Sequence, residues 1–453
     1  MQSTLLRQFS TIRAEELRPV LMAGLFFFCV LTALMMLRPV REALGMQRGM
    51  DAIRWLFVGT VLVTLLVNPA FGWLVSRLPR MRFVAATYLF FAAGLLVFFG
   101  LLVLAPAAIG ERSGQVFYVW FSVFNVFATM LFWALMADRF TQEQSQRLFG
   151  AIAVGGTLGA IFGPWLASLL ARPLGTAALL PVAAGFVLLA LGAAAWLMRG
   201  HAAMRPDSSQ DAGAAPHPDD WLRAVARPAT GESAIGGSAW EGLTAVLRSP
   251  FLLAICGYVL ILAVMATFLY FTRLQMVAAL GTDLDMRTTM FARIDMITQV
   301  STLVLQALVT GHLMKRLGTS FTLALLPVTT ALGFLGLAMA GSLVVLVAFE
   351  AVFKAVQRGV MRPARETLFT RVSRAERYKA KAFIDTFVYR AGDVVGAQTE
   401  GLLGRLGMGL AALASFAIPL AIVWMALGLW LGRGRAADGA PAPGAERTTG
   451  VTG

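Results

Sequence analysis

The sequence predicts an all-α membrane protein, with twelve transmembrane helices arranged as two six-helix halves. Three observations predict it. Apolar residues make up 58% of the 453-residue chain and charged residues only 14%, with a mean hydropathy of +0.74, whereas soluble domains carry roughly 25% charged residues. The apolar residues come in blocks of about 20, the length that crosses a hydrocarbon core of roughly 30 Å. Those blocks divide six and six around one long polar stretch.

Each block must be a helix, because a backbone crossing lipid has to satisfy its own hydrogen bonds. The blocks run over 20–37, 54–75, 82–105, 115–136, 148–170, 175–197, 250–272, 290–313, 319–340, 342–360, 380–402 and 407–431. The fifth, eighth, tenth and eleventh are the least apolar. Between the sixth and seventh lies the stretch that contains RPDSSQDAGAAPHPDD, too polar at its beginning to pack a core. Within it, 221–227 and 240–248 have the pattern of short amphipathic pieces on a membrane surface. The expected organisation is an N-terminal bundle over 1–198, a cytoplasmic linker over 199–249, a C-terminal bundle over 250–435 and a disordered tail over 436–453.

A net charge of +14 in a soluble protein would raise nucleic acid binding. Here the basic residues sit between apolar blocks and are not interleaved with aromatic ones, so nucleic acid is set aside. With the N-terminus inside, inner segments hold about 26 of the 38 Lys and Arg, the positive-inside bias of a multi-pass protein of the cell (inner) membrane. Both termini and the linker are therefore expected in the cytoplasm. The first twenty residues are too polar for a cleaved signal peptide, so the first helix is expected to stay.

Cys29 and Cys256 both fall inside apolar blocks and read as small buried hydrophobes rather than a disulfide or thiolate site. His201 and His217 belong to the linker region and His312 to a helix end, so no metal cluster is expected. Gly155-Gly156-x-x-Gly159 has no strand before it and is not read as a dinucleotide loop. No nucleophile, metal or acid–base cluster converges, so neither an enzyme nor a cofactor is expected.

An internal repeat supports the six-plus-six division. Gly72-Trp73-Leu74-Val75-Ser76-Arg77-Leu78 closes the second block, and Gly311-His312-Leu313-Met314-Lys315-Arg316-Leu317 closes the eighth. Glu143, Gly159 and Gly163 recur as Glu376, Gly392 and Gly396. The glycines of each GxxxG face one side of a helix, where their use is close helix packing. Parallel repeats of this kind resemble the architecture of the major facilitator fold.

Charges within the blocks carry the functional signal, because such groups are costly in a membrane and usually face a cavity or one another. Glu350 and Lys354 stand four apart, in the favourable order for a pair on one helix face. The eleventh block carries Asp385, Arg390, Asp393 and Glu400, and the eighth carries Arg293 and Asp295. Arg38, Arg41, Glu42 and Arg54 lie near the far ends of the first two blocks. Arginine and lysine along a hydrated path suit an anionic substrate. Arg41, Arg54, Lys354, Asp385 and Arg390 are the candidate substrate-binding residues. Asp295, Glu350 and Asp393 are the candidate proton carriers, since buried carboxylates can titrate near neutral pH.

Arg362-Pro363-Ala364-Arg365-Glu366, then Tyr378-Lys379-Ala380-Lys381-Ala382-Phe383-Ile384-Asp385, then Gly392, resembles the ATP/ADP translocase family of plastids and intracellular bacteria. Leu131-Phe132-Trp133, Glu143 and Arg147-Leu148-Phe149 resemble that family's fourth-to-fifth helix segment. The resemblance implies nucleotide exchange across a membrane by a major-facilitator-like fold, with Lys354 on a family lysine. Asp393 departs from the pattern, which has a lysine after that glycine; an anion there opposes a polyanionic substrate unless Arg390 or another base compensates.

Two transport modes stay open. One is exchange of an anionic metabolite of the nucleotide class by alternating access, the halves rocking around a midplane site. The other drives a different small solute with protons. In either case the chain is expected to act as a monomer, with a small molecule and the lipid bilayer as its partners.

Overall fold

The computed structural model describes residues 12–77, 80–105, 107–202, 244, 246–316, 318–369, 372, 380–381, 383–407 and 409–433. No strand occurs among them. The helices are α1 (Ala14–Gly45), α2 (Met50–Arg77), α3 (Arg80–Leu104), α4 (Ala107–Arg139), α5 (Gln142–Leu174), α6 (Leu179–Ala202), α7 (Pro250–Ala278), α8 (Leu284–Arg316) and α9 (Thr319–Ala340). The tenth pass is composite: α10 (Leu343–Val356), a π turn (Gln357–Met361) and α11 (Arg362–Leu368). A second π turn (Ile384–Val388) leads into α12 (Tyr389–Arg405), and α13 (Leu410–Arg433) is the last pass.

Local chemistry sets several boundaries. Thr141 caps α5 by accepting from the Gln144 amide at 3.3 Å, while the Gln144 side chain accepts from the Thr141 amide at 3.1 Å, a reciprocal capping box. Ser342 caps α10 through the Val345 amide at 3.3 Å. Gly341 ends α9 at φ +57°, a left-handed position that glycine takes without strain. α2 ends at Arg77 and α8 at Arg316, the arginines of the repeat.

Among the described residues nine passes are long and apolar enough by themselves to cross a membrane. α8, the composite tenth pass and α12 are not among them, and these carry Asp295, Glu350, Lys354, Arg390, Asp393 and Glu400. They are three of the four blocks that read as least apolar. Several expected boundaries move outward. The fourth pass begins at Ala107 rather than 115, and the seventh continues to Ala278 rather than 272. Helices outlast the hydrocarbon width, so charged residues in their final turns are missed by a criterion of apolarity. The tenth pass, expected as one helix over 342–360, is interrupted by its π turn.

The described chain forms two compact units. The first contains Met1–Gly236, Thr267–Leu303 and Asp393–Leu406. At its centre is α1, which packs most extensively on α5 and α6. A Cβ on Gly155, Gly159 or Gly163 of α5 would run into the backbone of α1 at Gly24, Phe28 and Thr32 respectively. Both series advance by four residues, so each glycine removes the obstacle at one turn and the backbones close together. Phe27 stacks on Phe132 at 4.1 Å and Phe91 meets Phe124 at 4.3 Å, filling the space among α1, α3 and α4.

The second unit contains Gly237–Ala266, Val304–Gly392 and Gly407–Gly453. There α9 packs along α13, with Gly428 and Gly432 against Leu323 and Ser320. Gly392 sits on Leu260 and Ala263 of α7. Tyr258 donates to the Leu323 carbonyl at 2.8 Å, and its ring lies 5.4 Å from Trp424. Cys29 and Cys256 are both buried, free thiols. The expected linker core (203–243), the tail (434–453), Glu376, Tyr378 and Lys379 lie outside the described residues.

Candidate functional site

Apart from Glu16, which pairs with Arg147 at 2.7 Å at the start of α1, the charged groups of interest in the first unit gather where α1 ends and α2 begins. Successive passes run in opposite directions, so this is also where α4 and α8 start and where α7 and α12 finish. Arg41 and Glu42 are neighbours on α1 and form an ion pair, with Glu42 fully buried. The guanidinium lies 4.7 Å from the Tyr118 ring centre and 5.7 Å from that of Phe121. A cation over an aromatic face is attracted by the ring quadrupole. Tyr270 of α7 donates its hydroxyl to Glu42 and lies 3.0 Å from the Tyr118 hydroxyl. Gly45 makes room for this arrangement: a Cβ there would approach the Tyr118 ring to 2.8 Å. The Arg41 Nε has no hydrogen-bond partner among the described residues.

Arg54, one turn into α2, is buried between two carboxylates. Its Nη1 reaches Asp51 at 2.5 Å, while Nε and Nη2 meet one oxygen of Glu400 at 2.9 and 2.8 Å. Gln275 of α7 donates to the other oxygen of Glu400 at 2.5 Å. Arg405, on the surface, also reaches Asp51 at 3.3 Å. Gly401 is the local reason that Arg54 fits: a Cβ there would lie 2.7 Å from the arginine side chain.

Arg273 forms a third buried centre. It is 1% exposed, donates to Asp295 at 2.8 Å and to the Phe291 carbonyl at 3.4 Å, and lies over the Phe291 ring at 5.1 Å. Arg38 approaches the same carboxylate at 3.8 Å. Asp295 is thus the shared carboxylate of two arginines from different helices. Asp393 is half-buried and accepts from the Thr267 hydroxyl at 3.4 Å.

In the second unit, Lys354 donates to Glu350 at 3.1 Å, the pair that the four-residue spacing anticipates. Asp385, in the second π turn, accepts from buried Arg365 at 3.0 Å. Lys381 reaches Glu366 at 2.5 Å. The stretch 362–366 is thus tied to 381–385 by two ion pairs, joining motif pieces that are separate in sequence. Arg390 is half-buried on α12, and Arg293 is exposed on α8.

The candidate residues therefore fall in two sets, with Arg41, Arg54, Asp295 and Asp393 in the first unit and Glu350, Lys354, Asp385 and Arg390 in the second. Arg273, Gln275, Tyr118 and Tyr270 were not among the expected site residues. Arg273 is the first residue beyond the apolar block 250–272, which falls six residues short of the helix end at Ala278, and tyrosines inside apolar blocks carry no signal that separates a packing role from a polar one. Chemically, the clusters offer guanidinium and ammonium groups already engaged with this chain's own carboxylates. An incoming anion would replace those partners. No nucleophile or acid–base dyad is assembled among these groups.

Comparison with known proteins agrees with this picture. No curated protein sequence matches the chain. Among solved structures, a bacterial homologue of the iron transporter ferroportin in an inward-facing state is similar, with a TM-score of 0.61, 14% identity, and coverage of 93% of this chain and 99% of that one. A mutant of the nucleoside transporter NupG is similar at a TM-score of 0.59 and 12% identity, over 92% of this chain and 99% of that one. The POT family transporter PepTSo is similar at 0.59 and 14%, over 91% and 98%. At such identities the likeness concerns the fold alone. The family model described as Major Facilitator Superfamily matches residues 20–353. Twelve helical passes, charges held among the helices, and a sequence match over most of the chain have one common explanation: this is a multi-pass membrane transporter belonging to the Major Facilitator Superfamily.

Proposed function

We propose that the chain exchanges an anionic metabolite of the nucleotide class, in the manner of the ATP/ADP translocases, by alternating access. The observation that carries this reading is Arg41. Its side chain is 18% exposed, its Nε lacks a hydrogen-bond partner among the described residues, and Tyr118 and Phe121 hold the guanidinium in place. The Nε is itself buried in this conformation; a phosphate oxygen reaching it when alternating access opens the site would gain a charge-assisted hydrogen bond, which is shorter and stronger than a neutral one. The close ties between 362–366 and 381–385 support a role for the motif that resembles the translocases. In this reading Arg54 of the first unit and Lys354, Asp385 and Arg390 of the second are the further candidates for substrate contact. The protein works as a monomer in the cell membrane, with both termini in the cytoplasm.

The test is uptake of labelled ATP into proteoliposomes loaded with ADP or left empty. Uptake that requires internal nucleotide supports exchange; no uptake in either case rejects it. A second reading, proton-coupled transport of another solute, is favoured by Asp393, a half-buried carboxylate facing the Thr267 hydroxyl. Asp393→Lys separates the two. Exchange predicts retained or tighter nucleotide binding, because the anion becomes a cation; proton coupling predicts loss of substrate-driven proton flux.

A further inference from the structure

Among the described residues α2 packs more on α4 than on α3, and a cleft of about 980 Å³ lies between these helices within the first unit. That volume is close to the upper end of the roughly 300–1,000 Å³ of small-molecule pockets. Its walls are apolar: Val63 and Val67 from α2, Phe90 and Phe91 from α3, Val119 and Phe127 from α4. Thr87, also in the wall, spends its hydroxyl on the Phe83 carbonyl at 2.9 Å and offers no free donor. Phe90 and Val116 line the cleft yet are 62% and 60% exposed, so it opens sideways out of the helices. In a membrane-spanning unit, that opening faces hydrocarbon.

One end of the cleft is different. Arg112 lines it and is exposed, and Gln115, one turn further along α4, lines it with a side-chain nitrogen that is buried and has no hydrogen-bond partner among the described residues. Glu111 lies on the neighbouring face of α4 and does not line the cleft. Arg112 is five residues into a 33-residue helix, and only about 20 of those are needed to cross the hydrocarbon. The arginine therefore stands at headgroup depth, where a long basic side chain can reach the interface. From Arg112 to Phe127 the helix rises about 22 Å at 1.5 Å per residue, more than the roughly 15 Å of one leaflet's share of the hydrocarbon.

A cation at the interface, a buried amide that lacks an acceptor, and an apolar trough leading inward match an amphiphile with an anionic head and a long tail. We propose that the α2–α3–α4 cleft is a binding site for an anionic phospholipid. Its phosphate pairs with Arg112, an ester carbonyl accepts from Gln115, and one acyl chain lies between Phe90 and Phe127. The lipid fills a gap that helix packing leaves open, and it couples the position of α2 to membrane composition.

The test is native mass spectrometry of the full-length protein in detergent, titrated with phosphatidylglycerol or phosphatidylcholine. The expected result is one tightly retained phosphatidylglycerol and weaker retention of phosphatidylcholine. Arg112→Gln should weaken phosphatidylglycerol retention about tenfold, as for loss of one charge-assisted hydrogen bond, and leave phosphatidylcholine unchanged. Val119→Trp, which fills the trough, should reduce both. Equal retention of the two lipids by the wild type overturns the proposal. So does undiminished phosphatidylglycerol retention in either variant, or displacement of the lipid by inorganic phosphate, which would make Arg112 an ion site without the trough.

Discussion

Arg54 and Glu400 stand 346 residues apart in the chain, yet two guanidinium nitrogens of the one lie 2.8 and 2.9 Å from a single oxygen of the other. With Gln275 on the second oxygen, Glu400 is held on both sides. Arg54→Leu should destabilise the protein by about 3–5 kcal/mol, the usual result of leaving one buried partner uncompensated. Replacing both residues by leucine should recover most of that. Chemical denaturation of the two variants in detergent decides it; a double variant no better than the single would defeat the argument.

Asp295 tests ion pair against proton carrier. It faces Arg273 at 2.8 Å and Arg38 at 3.8 Å, both within the first unit. Asp295→Asn should leave Arg273 buried without its countercharge and lower stability by about 3–5 kcal/mol. A variant that stays as stable as wild type but loses proton flux would instead establish Asp295 as a carrier. Thermal melting and a pH-sensitive dye in the vesicle lumen read the two outcomes separately.

Close approach of α1 and α5 predicts a steep size dependence at Gly159. Its missing Cβ is where the Phe28 carbonyl sits. Gly159→Ala should cost about 1–3 kcal/mol through overpacking, and Gly159→Leu should abolish folded protein. Gly185 of α6, with nothing within 4 Å of a built Cβ, should accept alanine freely. Expression and melting temperature of the three variants test this; a stable Gly159→Leu would mean the two helices are further apart.

Arg41 should show its role in affinity rather than in stability. If its guanidinium meets the substrate anion, Arg41→Lys keeps the charge but loses the planar fork. KM for exchange should then rise about tenfold, the equivalent of one hydrogen bond of about 1.4 kcal/mol. Initial-rate measurements in proteoliposomes check this. A fall in the maximal rate with unchanged KM would place Arg41 in the conformational change and not in binding.

The order and number of passes were legible because the physical rule behind them is one-dimensional. A lipid-crossing segment must be apolar and helical whatever surrounds it. The Glu350–Lys354 pair was legible for a similar reason, since four residues on a helix bring two side chains together without any help from tertiary structure. The GxxxG of α5 announced close packing but not its partner, which is α1.

By itself, then, the sequence determined an all-α, multi-pass membrane protein and which passes carry charge. Only the tertiary structure decided how charges on different helices pair. Nothing in the sequence assigns Glu42 a partner, yet it holds Arg41 beside it and Tyr270, 228 residues away on another helix. Arg273, just beyond the apolar block 250–272, is among the most buried large side chains of the described residues. Partners so distant in sequence are chosen by which helix faces meet. That depends on the fit of whole surfaces, such as glycine against backbone and ring against ring, and no local pattern records it.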